Sequence, residues 1–338
     1  MNQLIDPIDL AGEVCFCPDF FQTKKRINSL IDQYLNLEKL QSHLEDLSQQ
    51  FINPQPRCWQ SIDWQTINQE QIIGINLDVF LTILQGASNT EAPIRGYTQT
   101  SRQYLAPIHP QMAKFVGGVV AQNGTILELG LWEKEERQHT PALSKIYRQL
   151  TNQTIILDIP TPRQYQLSKN PYSDLYRHGL HRIFTEYSAV CLYLWMMART
   201  TGTIQLVLQE LLQDEINHMT KFWGFGKWLS SNFESQQPED WYVNQNKRYS
   251  CRNNQQSSLS ELTITLKHMM KVLNWQSWSL IHKIELVYTF VWVFQRMWSW
   301  SDNLSSKYLE KLFLLSPNSG NITIDWGTPV NAGSAVHF

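Results

Sequence analysis

The chain has 338 residues and a mass of 39.6 kDa, with 42% hydrophobic and 17% charged residues, so it can bury one large core or two modest ones and is neither disordered nor fibrous. Lys and Arg number 28 against 30 Asp and Glu, a net charge of −2 with no block of one sign, which excludes the basic footprint of a nucleic-acid binder. Five cysteines, with one Cys15-x-Cys17 pair, support neither a disulfide framework nor a zinc cluster.

The opening residues, MNQLIDPIDLAGEV, are acidic and lack the basic start and apolar run of a secretory signal. The longest apolar runs, Ala189–Ala198 and Leu286–Phe294, fall short of the roughly 20 residues a membrane span needs. A soluble protein of the cytoplasm, or of another soluble reducing compartment, is expected. Gly (15) and Pro (14) are sparse and the apolar residues recur at i, i+3 and i+4, which predicts an all-α chain without a strand ladder. Helices are expected over about 26–50, 66–89, 111–122, 124–151, 174–200, 203–230, 259–274 and 278–296. The organisation follows: an N-terminal segment (1–65) packing on a core (66–230), a polar Gln/Asn/Ser-rich loop (231–258), C-terminal helices rich in Trp (259–315) and an irregular tail (316–338).

Within the core one short motif occurs twice. With nine His and 17 Glu, chance predicts about half of one Glu-x-x-His pair. Two are present, Glu136-Arg137-Gln138-His139 and Glu215-Ile216-Asn217-His218. Positions i and i+3 of a helix are neighbours, so each pair can aim a carboxylate and an imidazole at one point. Both pairs lie on apolar stripes: Leu129, Trp132, Glu136, His139, Leu143, Ile146, Leu150 in one helix, and Ile204, Leu208, Leu211, Glu215, His218, Phe222, Phe225 in the other. A carboxylate buried without a partner costs many kcal/mol, so something cationic belongs between these helices.

Dinuclear carboxylate bundles need one further Glu from each of two more helices. Glu186 sits on the stripe Ile183, Glu186, Val190, Tyr193, Met197, and Glu91 on Leu77, Phe80, Leu84, Ala87, Glu91, Ile94. The candidate metal ligands are therefore Glu91, Glu136, His139, Glu186, Glu215 and His218. Four carboxylates balance two divalent ions, and oxygen-rich ligation without thiolate favours iron or manganese over zinc.

The text around these ligands resembles the soluble acyl-acyl carrier protein desaturases. WEKEERQH is similar to that family's tryptophan-led Glu-Glu-Asn-Arg-His segment, QDEINH to its Asp-Glu-Lys-Arg-His segment, and TEAPIRGYTQT (Thr90–Thr100) to its first-ligand stretch. Cys58-Trp59-Gln60-Ser61-Ile62-Asp63-Trp64 resembles its Trp-Gln-Pro-x-Asp-Phe without the Pro, and PYSDLYRHGLHRIFTE (Pro171–Glu186) its run into the third ligand helix. The likeness covers residues 40–275. It implies a ferritin-like helical bundle, two iron ions that activate O2, and desaturation of a fatty chain carried on acyl carrier protein with electrons from a ferredoxin-type donor. It also implies an electron relay through Trp59 and Asp214 to His139. Glu186 and Glu215 are expected to bridge the ions, and a homodimer is expected.

The sequence departs from the family at Ala189, one turn beyond Glu186, where the family has a Thr beside the oxygen-binding face. His178 and His181 replace apolar or hydroxyl residues before Glu186. Hydroxylation or halogenation of a carrier-bound chain, as in the dimetal-carboxylate halogenases, is therefore carried as an alternative. Two others are an iron-binding ferroxidase without organic substrate and a radical-generating subunit of ribonucleotide-reductase type, for which Tyr187 and Tyr193 are the tyrosines in position.

Overall fold

The computed structural model describes residues 19–106, 109–158, 171–235, 267 and 269–314. Cys15 and Cys17, residues 236–258, most of the helix expected over 259–274 and the tail beyond 316 lie outside them.

The described chain is all-α apart from one small hairpin. The helix expected over 26–50 is three helices, α1 (Phe20–Tyr34), α2 (Leu37–Glu45) and α3 (Leu47–Ile52). Asp19 and Gln22 form a capping box that starts α1 ahead of the expected boundary, and within the expected span the Asn36 side chain accepts the Lys39 N–H and starts α2 afresh. The helix expected from 66 instead begins at Leu77, where Asn76 caps α4 (Leu77–Glu91), and two 3-10 turns precede it. Pro93 separates α4 from α5 (Ile94–Leu105). After α6 (Pro110–Gly117) comes a feature the periodicity did not predict, an antiparallel hairpin of β1 (Val119–Val120) and β2 (Ile126–Glu128). Gly124 turns it with a φ of 83°, so α7 (Leu131–Thr151) begins at 131 rather than 124.

Two long helices complete the core, α8 (Pro171–Ala198) and α9 (Gly202–Ser235), the latter running five residues into the segment expected as polar loop. Between them Gly202 takes a φ of 55°, which closes a tight antiparallel connection. From Tyr187 to Ala198 every residue of α8 but Ala189 is buried, the pattern of a central helix enclosed on all sides. The dominant helix pairs are α8 with α9 and α4 with α7, joined by contact of α7 with α9. Outside them lie α1, α2, α10 (Leu280–Asp302) and α11 (Ser306–Leu314). Arg199, at the end of α8, makes a buried ion pair with Glu285 of α10, which also accepts from Trp195 Nε1 (3.1 Å). Among the described residues no helix is long and apolar enough to cross a membrane.

Candidate metal centre

Each of the four core helices brings its acidic residues inward by the spacing of its own apolar stripe. Glu91 is the last residue of α4, Glu136 and His139 lie one turn apart near the start of α7, Glu186 is midway along α8, and Glu215 and His218 are midway along α9. The stripes above and below them are buried: Trp132, Leu143 and Ile146 on α7, Leu211 and Phe222 on α9, Val190 and Tyr193 on α8. The six side chains meet in two overlapping groups. Glu91, Glu136, His139 and Glu215 form one, and Glu136, Glu186, Glu215 and His218 the other, with ligand atoms within 4.8 Å of one another in each. Glu136 and Glu215 are common to both. The sharing thus falls on the two motif glutamates rather than on Glu186, which reaches one group only.

The donor atoms converge without satisfying each other. His139 Nδ1 lies 3.2 Å from Glu215 Oε1 and 3.3 Å from Glu136 Oε2, and His218 Nδ1 lies 3.0 Å from Glu136 Oε1 and 3.5 Å from Glu186 Oε2. Even so, both Nδ1 atoms and Glu215 Oε1 are buried with no hydrogen-bond partner. Lone pairs that close yet off each other's hydrogen-bond axes point at common positions between them. Electrostatics agree. Burial, then the Glu136 charge, pushes Glu91 up to about 7, and burial with the Glu136 and Glu186 charges pushes Glu215 well above the ordinary carboxylate range. Against their burial, the carboxylates in turn push both imidazoles well above the ordinary histidine range, so the cluster keeps its carboxylates ionised only with positive charge among them, as protons on the histidines or as bound cations. Its donor set, orphaned atoms and charge count therefore fit metal ions.

The opposite edge of each imidazole is held from outside. His139 Nε2 is 3.4 Å from Asp214 Oδ2, and His218 Nε2 is 2.7 Å from Glu135 Oε2. Each carboxylate sits immediately before the Glu of one motif and reaches the histidine of the other. Burial alone would push Asp214 up, but the hydrogen bond and charge of His139, then the Arg57 guanidinium, hold it below the ordinary range. With a metal ion bound, an ionised acceptor at Nε2 would keep the proton on that nitrogen and leave the Nδ1 lone pair to the ion.

The expected relay residues are in contact. Trp59 Nε1 donates to Asp214 Oδ2 (2.8 Å), and the Trp59 ring stacks over His139 with centroids 6.3 Å apart. Ala189 is half-buried on the core side of α8. A hydroxyl beside Glu186 comes from Thr185 instead, whose Oγ1 lies 3.4 Å from Glu186 Oε1 and shares its one proton between that oxygen and the Arg182 carbonyl (2.9 Å). His178 stacks on Tyr104, and neither it nor His181 joins the two groups. Of the two candidate tyrosines, Tyr193 donates to Glu91 Oε1 (3.2 Å), whereas Tyr187 donates to the Phe290 carbonyl.

Two participants were missed from sequence. Glu135 carries a visible signal, because both motifs read acid-Glu-x-x-His and it stands in the first where Asp214 stands in the second. Arg57 has none. Its Nε donates to Asp214 Oδ1 (2.9 Å), its guanidinium pairs with Glu210, and its backbone N–H donates to Glu135 Oε1 (2.9 Å). One residue thus ties both outer carboxylates. Compared with family models, curated proteins and solved structures, the chain matches none.

Proposed function

We propose that this cluster holds two iron ions, with manganese as the alternative, in a ferritin-like bundle, and that the protein oxidises an unactivated C–H bond of a fatty acyl chain at the expense of O2. The substrate would be carried on acyl carrier protein, the electrons would come from a ferredoxin-type donor, and desaturation is the reaction favoured. The observation that carries the reading is the pair of overlapping four-residue groups with orphaned Nδ1 atoms and two shared carboxylates. Bound ions would supply the one-electron chemistry and the activation of dioxygen.

This chain's residues do the rest. Glu136 and Glu215 would span both ions, while Glu91 with His139 and Glu186 with His218 would complete one ion each. Asp214 and Glu135 fix the imidazole rings by accepting the Nε2 proton. Trp59 donates its indole N–H to the same Asp214 oxygen that faces His139, which gives a contiguous path from a half-buried ring to the cluster. The Tyr187–Ala198 face of α8 keeps the neighbourhood apolar, as a hydrocarbon substrate requires. Thr185 Oγ1 supplies an exchangeable proton at Glu186 in place of the hydroxyl that Ala189 lacks.

Metal analysis should find about two ions of iron or manganese per chain, and a single stoichiometric zinc would refute the reading. Incubation with a panel of acyl carrier protein thioesters should give a product lighter by two hydrogens. Gain of oxygen or halogen would assign the same centre to hydroxylation or halogenation. One observation favours a second reading, a radical-generating centre: the Tyr193 hydroxyl donates to Glu91 Oε1 (3.2 Å). A tyrosyl EPR signal after exposure of the ferrous protein to air, lost in Tyr193→Phe, would support it.

A further inference from the structure

Helix α10 is committed to the fold along one face only. Glu285, Thr289, Val293, Met297 and Trp300 are buried, and the helix packs on α8, α1 and α9. Its other face is apolar and exposed. Leu280, Ile284, Val287, Val291, Phe294 and Trp298 are each 46 to 72% exposed. Six such residues in one row differ from the scattered surface apolar groups of an ordinary monomer. Their spacing is four, three, four, three, four, which is a heptad seam, and a 3.5-residue period matches a second helix better than a flat surface.

Which helix would fit is set by the sizes along the row. Leu280 and Ile284 stand at one end, two valines at the middle, and Phe294 and Trp298 at the other. Parallel pairing with a copy of itself would set Trp against Trp and Phe against Phe, splaying that end. Antiparallel pairing sets Leu280 against Trp298, Ile284 against Phe294 and Val287 against Val291, so the outer layers join a large side chain to a smaller one and the narrow valine layers lie at the centre. A surface hollow between Phe294, Gln295 and Trp298 lies where that register would seat Leu280. Full cover of these half-exposed side chains on both copies would bury on the order of 1,200 Å², the lower edge of specific interfaces.

We propose that α10 is the contact helix of a homodimer, packed antiparallel against α10 of a second copy about a twofold axis near Val287 and Val291. The helix lies beyond residues 40–275, the stretch that carries the desaturase resemblance, so the surface belongs to this chain's own C-terminal part. The proposal does not depend on the metal reading.

Sedimentation of the full chain at micromolar concentration should show a dimer. Val287→Glu and Val291→Glu alter only exposed positions and should weaken association at least about 100-fold, because each places a charge in an apolar seam, while helicity and metal content stay unchanged. Orientation is read by cysteine crosslinking. In the antiparallel pair two copies of residue 280 lie about 27 Å apart along the axis, so Leu280→Cys should not crosslink to itself, but mixed Leu280→Cys and Trp298→Cys chains should form a 280–298 disulfide identified by peptide mass. A monomeric wild type, a dimer that survives both glutamate variants, or self-crosslinking of Leu280→Cys would overturn the proposal. So would a monomer that binds phosphatidylcholine vesicles through these residues, which would make the face a membrane contact.

Discussion

Glu135 and Asp214 occupy equivalent places, each on the Nε2 edge of the histidine from the other motif, so neutralising them one at a time measures how far the outer carboxylates tune the centre. In Glu135→Gln the amide NH2 must face a donor, because Glu135 receives the Arg57 backbone N–H on one oxygen (2.9 Å) and His218 Nε2 on the other (2.7 Å). A buried donor set against a donor costs about 1–3 kcal/mol. Loss of the charged acceptor behind a ligating imidazole lowers metal affinity by roughly 10–100-fold. Asp214→Asn should lower affinity less, since His139 is 3.4 Å from its acceptor, but it also removes the charge that Arg57 Nε and Trp59 Nε1 share. The two variants should therefore separate. Competition titration against a chelator should show the larger affinity loss in Glu135→Gln. Stopped-flow reduction should show slower reduction by a protein donor, with chemical reductants unaffected, in Asp214→Asn alone. Wild-type metal affinity in both would refute the role of these carboxylates. Equal slowing with both kinds of reductant in Asp214→Asn would make that residue a support rather than part of a relay.

Because Glu91 belongs to one group only, Glu91→Ala should retain about one ion per chain, whereas Glu136→Ala and Glu215→Ala remove a shared carboxylate and should retain less than about one; equal losses by elemental analysis in all three would contradict the sharing. His109 caps α6 by accepting the Met112 N–H on Nδ1 (3.1 Å), and burial lowers its pKa to about 4 from 6.5. The unfolded chain then takes up the proton first, so this contribution is fully present above about pH 6.5 and is lost as pH falls toward 4, to a total of about 3 kcal/mol. Thermal unfolding across that window should fall less steeply in His109→Asn, and identical slopes would refute the assignment. Ala189→Thr adds a hydroxyl one turn beyond Glu186 and should shift any product mixture toward the alkene; ratios that do not move in mass analysis would place terminal selectivity elsewhere, Thr185 first.

The six clustered side chains were legible because each interrupts a long apolar stripe, and a buried carboxylate in such a place has few physical excuses. Periodicity needs length, and α7, α8 and α9 have it. It failed where local hydrogen bonding decides. Asn36 and Asn76 start helices by capping them, and the β1–β2 hairpin is too short for alternation to register, so the hydrophobic pattern ran through all three. Arg57 was illegible for another reason. It stands 78 and 157 residues from the carboxylates it joins, on a stretch between helices with no period to read. Glu135 could have been read. Its signal lay in comparing the two motifs with each other, since an acid in front of Glu-x-x-His is buried on both helices and reaches across rather than back.

That crossing makes the cluster symmetric in its ligands and asymmetric in what stands behind them. Behind His218, Glu135 also accepts from Asn217, which in turn meets Lys221 Nζ, a wholly buried ammonium anchored on the His43 carbonyl (2.6 Å) and Asp46 (2.6 Å). Every group in that chain is spoken for by neighbours that fix the packing of α9 on α2. Behind His139, Asp214 leads instead to Arg57 and Trp59, both only partly buried and flanked by the exposed Cys58. Charge arriving from outside meets a short aromatic and hydrogen-bonded path on the His139 side and a closed polar network on the other. On the proposed reading, electrons would therefore enter through the Trp59, Asp214 and His139 side, while the residues behind His218 hold the packing of the bundle.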